Sequence, residues 1–228
     1  EVIVWETGRA GEEAASYENL FLRKEIAGFR TNIRREQSCS IKSLTRDYLY
    51  KQLLSSGEYT FDHMLVIKDP YGEAPLTALA LFILEEPACV RVTTKGNLKE
   101  TDFVTELPKK KEHRVPILGM YAEKANDIVI EILDDEGNCV KSHTFTIRTK
   151  RLPKSLRNVI TVKKWTDKPA YSNIMINGGV KIHTCVFDIE GKIRYYLSRK
   201  PRGYGIFPLS DGHFFYMEKY ISVPSYSN

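Results

Sequence analysis

The chain has 228 residues, of which 42% are hydrophobic and 28% charged, and these proportions are those of an ordinary globular protein. Its net charge of +5 is mild, and its positive residues are scattered apart from small clusters such as Lys109–Lys111, which disfavours nucleic-acid binding. No apolar run reaches the roughly 18 residues that a membrane-spanning helix needs, so we expect no membrane span and a sizeable core in one or two domains.

Residues 1–57 have the apolar spacing that is typical of helices. In Glu12–Phe29 the apolar positions recur closer to every 3.6 residues than to every second residue, and the stretch has no proline. Ser40–Leu54 predicts a second helix, which ends before Gly57. Its apolar stripe consists of Ile41, Leu44, Tyr48, Leu49 and Leu53. We therefore predict a helical N-terminal arm, residues 1–57, that packs on another part of the protein.

Residues 58–150 change to short apolar or alternating runs between turn residues, which is the pattern of β-strands. Seven strands are predicted, at Leu65–Ile67, Leu76–Leu84, Cys89–Thr94, Phe103–Leu107, Arg114–Leu118, Ile128–Leu133 and Cys139–Ile147. The last two flank Asp134–Asn138, which predicts a hairpin loop. The spacing indicates an immunoglobulin-like antiparallel β-sandwich over residues 58–150, and a mainly β fold class.

The second predicted strand has an unusual entry, Lys68–Pro75, which contains two prolines and Gly72. Proline cannot donate a hydrogen bond to a strand ladder, so this stretch predicts a kinked approach to the strand, with Tyr71 packing against a neighbour. The strand that follows is apolar on both faces, with Leu76, Ala78, Ala80 and Phe82 on one side and Thr77, Leu79, Leu81 and Ile83 on the other. Such a strand is central or covered on its outside, and the N-terminal helix is a candidate cover.

Residues 151–228 have a different texture. The stretch Arg148–Arg157 is basic and contains Pro153, so we predict an exposed linker there. A strand is predicted at Asn158–Trp165, and two hairpins are predicted around Ile189–Gly191 and Ser210–Gly212. Aromatic hairpins that turn on acidic residues and glycine are typical of propeller blades, so we predict a fragment of a β-propeller blade at the C-terminal end.

Three stretches carry a family resemblance: IKDPYGEAPLTALALF (67–82), VPILGMYAEKANDIVIEI (115–132) and FDIEGKIRYYL (187–197). They look like the N-terminal part of the bacterial arylsulfate sulfotransferases. The resemblance covers roughly residues 59–220 and implies a small β-sandwich that precedes a six-bladed propeller. It also implies an enzyme that moves a sulfuryl group from a phenolic sulfate ester to another phenol, without a nucleotide donor, through a histidine.

In the family that this chain resembles, the sulfuryl-carrying histidine and its supporting histidine and arginine residues lie in later propeller blades. The chain stops at Asn228, so we predict that it lacks this region and is inactive alone. We assign no catalytic, cofactor-binding or metal-binding residue. The five histidines are His63, His113, His143, His183 and His213, and no two of them have a dyad-like or ligand-like spacing.

Three functions therefore stay open. The chain is the structural N-terminal portion of an arylsulfate sulfotransferase, a free-standing β-sandwich interaction module without catalysis, or a complete enzyme of another kind. We favour the first, in which the segment supports the propeller or a subunit interface. The expected partners are then the C-terminal propeller of the same protein and a second copy of the chain, with a phenolic sulfate ester and a phenol bound only by the complete enzyme. The resemblance alone implies an extracytoplasmic location, periplasmic or secreted.

The four cysteines, Cys39, Cys89, Cys139 and Cys185, have no C-x-x-C spacing, which disfavours a zinc ribbon or a thioredoxin-type site. Cys89 and Cys139 could pair if their strands are neighbours. We favour four buried free thiols.

Overall fold

The computed structural model describes residues 1–17, 35–163, 173–176, 183–198, 205–208 and 214–217. Most of the described elements are strands, which confirms the mainly β fold class. In chain order they are β1 (Val2–Trp5), α1 (Thr7–Ala15), α2 (Arg35–Ser55), β2 (Met64–Lys68), β3 (Ala78–Thr94), β4 (Phe103–Ile117), β5 (Ala125–Leu133), β6 (Cys139–Arg148), β7 (Asn173–Ile176), β8 (Cys185–Asp188), β9 (Ile193–Tyr196), β10 (Gly205–Pro208) and β11 (Phe214–Met217). In these ranges, neither helix has the length and apolar character needed to cross a membrane.

Strands β3 and β4 are long, and each replaces two of the predicted short strands. They pair antiparallel along both halves, with a shift of register near Ala88 and Lys110. The first half of β3 also pairs with β2, and its second half pairs with β5. The prediction of seven separate strands is wrong because a β-bulge bends a strand without ending its hydrogen-bond ladder.

One hydrophobic core lies inside the sheet that these strands build. The sheet runs in the order β1-β2-β3-β5-β6, with β4 along β3. Buried side chains from both halves, including Val66, Phe82, Val92 and Ile128, belong to a single cluster. Both halves of β3 and β4 thus belong to one continuous six-stranded sheet that contributes to a single core.

The N-terminal arm covers the outer face of β2 and β3. Leu79 and Leu81 belong to a second apolar cluster with Leu49 of α2, whereas Ala80 and Phe82 belong to the main core. The predicted alternation along this strand and its predicted cover by an N-terminal helix are both confirmed. The arm therefore docks on its own sandwich.

The arm differs from its prediction in two ways. It begins with a strand, β1, which runs parallel to β2, so the arm is not wholly helical. α1 begins and ends earlier than the helix predicted at Glu12–Phe29, and residues 18–34 lie outside the described residues.

The buried face of α2 is displaced from the predicted stripe. Leu44 is 44% exposed, whereas Thr45 is 2%, Leu49 4% and Tyr50 0% exposed. Tyr50 lies on this face because its hydroxyl donates a hydrogen bond to the carbonyl of Pro70. The helix is thus oriented by a polar contact that a count of apolar residues does not contain.

The C-terminal strands form two small sheets. β7, β8 and β9 pair antiparallel in that order, which confirms the hairpin predicted around Ile189–Gly191. β10 and β11 also pair antiparallel, and the turn predicted at Ser210–Gly212 lies outside the described residues. The strand predicted at Asn158–Trp165 is wrong over its described part, because residues 158–163 have no regular structure.

The sequence predicts that the segment Arg148–Arg157 is an exposed linker, but the structure buries part of it. Thr149 and Leu156 are buried, with 7% and 1% of their surface exposed. Leu156 belongs to the main core cluster, together with Phe187 and Ile193 of the C-terminal strands. The segment therefore packs between the sandwich and the β8–β9 hairpin.

Candidate functional site

The most highly organised polar site among the described residues lies where the β8–β9 hairpin meets the loops of the sandwich. At its centre, Arg194 of β9 has only 1% of its surface exposed. Its Nε donates to the carbonyl of Gly119 at 2.6 Å, and its Nη1 donates to the carbonyl of Thr101 at 2.8 Å. A guanidinium has five N–H donors in a fixed plane, so one side chain can bind two loops at once.

Asp188, the last residue of β8, balances this charge. It is 0% exposed, and its Oδ2 lies 3.1 Å from Nη1 of Arg194. Its Oδ1 accepts the backbone N–H groups of Glu190 and Lys192, each at 3.0 Å. The same carboxylate therefore closes the hairpin turn and pairs with the arginine.

Tyr121 supplies the sandwich side of the site. Its hydroxyl donates a hydrogen bond to Oδ2 of Asp188 at 3.0 Å. The same oxygen accepts hydrogen bonds from Nη1 of Arg194 at 3.0 Å and from the backbone N–H of Asn97 at 3.1 Å. The guanidinium carbon of Arg194 lies 3.9 Å from the centre of the Tyr121 ring, in a cation–π contact. Burial raises the pKa of Tyr121. The hydroxyl therefore stays protonated at neutral pH and acts as the hydrogen-bond donor to the carboxylate of Asp188.

Local backbone geometry positions the acceptor at Gly119. This residue has a φ of +75°, and a Cβ there would lie 2.7 Å from Cβ of Phe103. Only glycine fits both the left-handed backbone and the close approach, so the loop that presents its carbonyl to Arg194 depends on this residue. We name Arg194, Asp188, Tyr121, Thr101 and Gly119 the arginine junction.

Two further contacts surround the arginine junction. Nδ2 of Asn97 donates to Oε2 of Glu190 at 3.1 Å. The N–H of Ser198 donates to the carbonyl of Glu73 at 2.8 Å, in the entry to β3 that the sequence singled out. The hairpin is therefore fixed to two loops of the sandwich and to this entry turn.

The entry turn also binds the arm. Asp69 and Gly72 have φ values of +46° and +75°, in the left-handed region, so the chain turns sharply at both positions. Nη1 of Arg46 on α2 donates to the carbonyl of Pro70 at 2.6 Å. The Tyr71 hydroxyl donates to Oδ1 of Asp47 at 2.6 Å, and burial raises the pKa of Tyr71 to about 12. The predicted packing role of Tyr71 is thus a hydrogen-bonded contact with α2.

The histidines are dispersed. His113 is buried, its ring stacks on Phe82, and burial lowers its pKa. His183 is buried, with its Nδ1 2.8 Å from the carbonyl of Leu197. His63 is partly exposed and lies 3.9 Å from a carboxylate oxygen of Glu1, and His143 lies in β6 near Phe61. His213 lies outside the described residues. The structure brings no two of the four described histidines together.

Three of the four cysteines, Cys89, Cys139 and Cys185, are free thiols, and Cys39 lies where side chains are not described. Cys89 and Cys139 are not on neighbouring strands, because both pair with Leu133 from opposite sides of β5. Cys139 is exposed and Cys89 is only partly buried, so the expectation of buried thiols is wrong at Cys139, is met only in part at Cys89 and is confirmed at Cys185. Among the described residues, no group of three histidine, cysteine or acidic side chains could hold a metal ion.

Sequence reasoning missed the arginine junction. Arg194 stands in the strand segment IRYY as an ordinary alternating residue, and arginine is almost never fully buried unless it is paired. The available signal was Asp188, because an aspartate three residues before Gly191 predicts a turn that the carboxylate caps. That signal predicts the hairpin turn, but it does not predict that Arg194 is buried.

Residues 65–150 match the family model of the arylsulfotransferase Ig-like domain. This part of the chain is therefore an N-terminal domain of the arylsulfotransferase type, as the resemblance of the stretches 67–82 and 115–132 predicts. The third stretch, 187–197, and the whole N-terminal arm lie outside the matched residues. A comparison with curated proteins found no match for the chain.

Proposed function

We propose that this chain is the N-terminal portion of an arylsulfate sulfotransferase and that its own role is structural. The sandwich is the platform on which the first strands of a propeller are anchored. The observation that carries the proposal is the arginine junction, in which buried Arg194 of the β8–β9 hairpin donates to the carbonyls of Gly119 and Thr101 in a domain of the arylsulfotransferase type.

The energetics of the junction favour a permanent anchor. A buried ion pair is not by itself a large source of stability, but breaking it by removing one partner costs about 3–5 kcal/mol. Arg194 and Asp188 both belong to the β8–β9 hairpin, so the pair itself does not link the hairpin to the sandwich. The link consists of the hydrogen bonds from Arg194 to the carbonyls of Gly119 and Thr101 and of the contacts of both charged groups with the Tyr121 hydroxyl. These directional bonds fix the position of the hairpin on the sandwich, as a platform for further blades requires.

The burial of apolar side chains in β8 and β9 disfavours, for these two strands, the alternative of a free-standing interaction module that recruits a partner through its aromatic C-terminal segment. In β8 and β9, Phe187, Ile193 and Tyr196 are buried in the main core. These side chains are occupied within the chain, so they do not form a recruiting surface.

For the chemistry, we propose nucleotide-independent transfer of a sulfuryl group from a phenolic sulfate ester to a phenol by the complete enzyme. The histidine that carries the sulfuryl group is assigned to the propeller. We also propose a homo-oligomer, and on the family resemblance alone we propose an extracytoplasmic location.

The test compares this chain with the full-length gene product. Each is incubated with 4-nitrophenyl sulfate, with and without an acceptor phenol, and release of 4-nitrophenol is followed. We expect acceptor-dependent release by the full-length protein and none by this chain. An inactive full-length protein would contradict the assigned chemistry, and turnover by the 228-residue chain would contradict the structural role.

The structural role has its own test in the full-length protein. Arg194→Met should lower the temperature at which activity is lost, because it loosens the anchor of the propeller. Activity measured well below that temperature should change little, since Arg194 is buried at the junction and has almost no surface that a substrate could reach. If Arg194→Met abolishes turnover without changing thermal stability, the junction is part of the reaction site and the structural proposal is wrong.

A further inference from the structure

A cavity of about 330 Å³ opens beside the arginine junction, between residues 151–160 and the start of β9. Its apolar lining includes Leu156, Ile160 and Ile193. Leu156 and Ile193 are buried members of the main core, so this part of the wall is firmly packed. The volume lies at the lower end of the range of small-molecule sites, about 300–1,000 Å³.

The remaining wall is rich in cations. Arg151, Arg157 and Lys192 line the cavity, and Glu123 is the one acidic residue among the described residues that line it. Glu123 lies 3.3 Å from Nε of Arg151, so these two charges offset each other. Arg157 and Lys192 have no carboxylate partner among the described residues, which leaves a net positive wall.

The guanidinium of Arg157 is held in place. Its Nε donates to the carbonyl of Leu152 at 2.9 Å, and the residue is partly buried. The terminal Nη groups remain available as a planar pair of donors, the geometry that binds a carboxylate or a sulfonate. A guanidinium that is held by this hydrogen bond, in a cavity with apolar lining residues, loses less conformational entropy on binding an anion than a mobile surface charge does.

We infer that this cavity binds a small organic anion with a compact apolar body and a single anionic group. The apolar body lies against Leu156 and Ile193, and the anionic group is bound by Arg157 and Lys192. The lining comes from residues 151–160, from the β8–β9 turn with Ile193, and from Ala122 and Glu123 of the sandwich. Binding in this cavity does not depend on the proposed role of the domain.

The probe is 4-nitrobenzoate, titrated into this chain by calorimetry, with the uncharged methyl 4-nitrobenzoate as the matched ligand. We expect saturable binding of the anion in roughly the millimolar range, as for a ligand of this size, and much weaker binding of the ester. No saturable binding, or equal binding of the ester, overturns the inference.

Two substitutions locate the site. Lys192→Gln should weaken binding about fivefold, because it removes one charge-assisted contact at a partly solvated position. Val159→Trp should abolish binding, since Val159 lines the cavity and is 43% exposed, so that the larger ring can fill the opening without entering the core.

The matched control is Lys154→Gln, which makes the same change of charge on an exposed residue outside the cavity lining. It should leave the affinity unchanged. If it weakens binding as much as Lys192→Gln does, or if Val159→Trp has no effect, the anion is attracted by general surface charge and the cavity is not its site.

Discussion

Replacement of Arg194 by methionine perturbs the arginine junction with little change of side-chain volume. The arginine is 1% exposed and donates to Gly119, Thr101, Tyr121 and Asp188 at 2.6–3.1 Å. The substitution leaves the buried carboxylate of Asp188 without its cation and the two backbone carbonyls without a donor. We expect a loss of about 3–5 kcal/mol in the free energy of unfolding, the cost of removing one partner of a buried ion pair.

The assay is urea unfolding of the chain, followed by circular dichroism, together with the thermal midpoint. At about 2–4 °C per kcal/mol for a chain of this size, the midpoint should fall by roughly 6–20 °C. The double variant Asp188→Asn/Arg194→Met should recover at least about 1 kcal/mol of the loss, because the orphaned charge is gone. In this variant the asparagine oxygen can still accept the N–H groups of Glu190 and Lys192.

A loss of less than about 1 kcal/mol for Arg194→Met would show that the arginine is not the anchor. A double variant that is as unstable as the single one would contradict the role of the buried charge. In that case the loss would come from packing or from the carbonyls and not from an uncompensated buried charge.

Two other predictions concern packing and pH. Leu49→Asp should lower the free energy of unfolding, measured in urea, by at least about 2–3 kcal/mol, because it puts a charge into an apolar cluster. Leu44→Asp should change the same free energy by no more than about 0.5 kcal/mol, because Leu44 is exposed. Equal effects of the two substitutions would contradict the observed buried face of α2. Burial lowers the pKa of His113 below its unfolded value of about 6.5, so the unfolded chain binds the proton more readily and stability falls as the pH drops below that value. His113→Phe, which can keep the stacking on Phe82, should flatten the fall in urea midpoint between about pH 6.5 and pH 5, and an unchanged slope would contradict the assignment.

The sequence by itself was enough for the features that depend on local pattern. Period-two alternation along Leu76–Ile83 determined which side chains of β3 face the core and which face the arm. The turn residues at Ile189–Gly191 determined a hairpin. The motifs in residues 67–82 and 115–132 determined the domain family. Each of these signals lies within a few residues of what it predicts, so no knowledge of distant contacts is needed.

Tertiary structure alone decided how those pieces meet. The residues on either side of Glu85–Pro87 form one strand, β3, because β4 continues the hydrogen-bond ladder beside both parts. That partner strand begins only at Phe103. The buried face of α2 depends on Tyr50 reaching the carbonyl of Pro70, 20 residues away. Neither contact produces a periodic pattern of residue types in the sequence.

The arginine junction depends on tertiary structure most of all. Arg194 contacts Thr101 and Gly119, which are 93 and 75 residues earlier in the chain. A charged residue in an alternating strand is ordinarily solvated, and only a partner such as Asp188 together with enclosing carbonyls makes its burial favourable. Because those partners come from different loops, the fold assembles the site, and no local spacing of residue types predicts it.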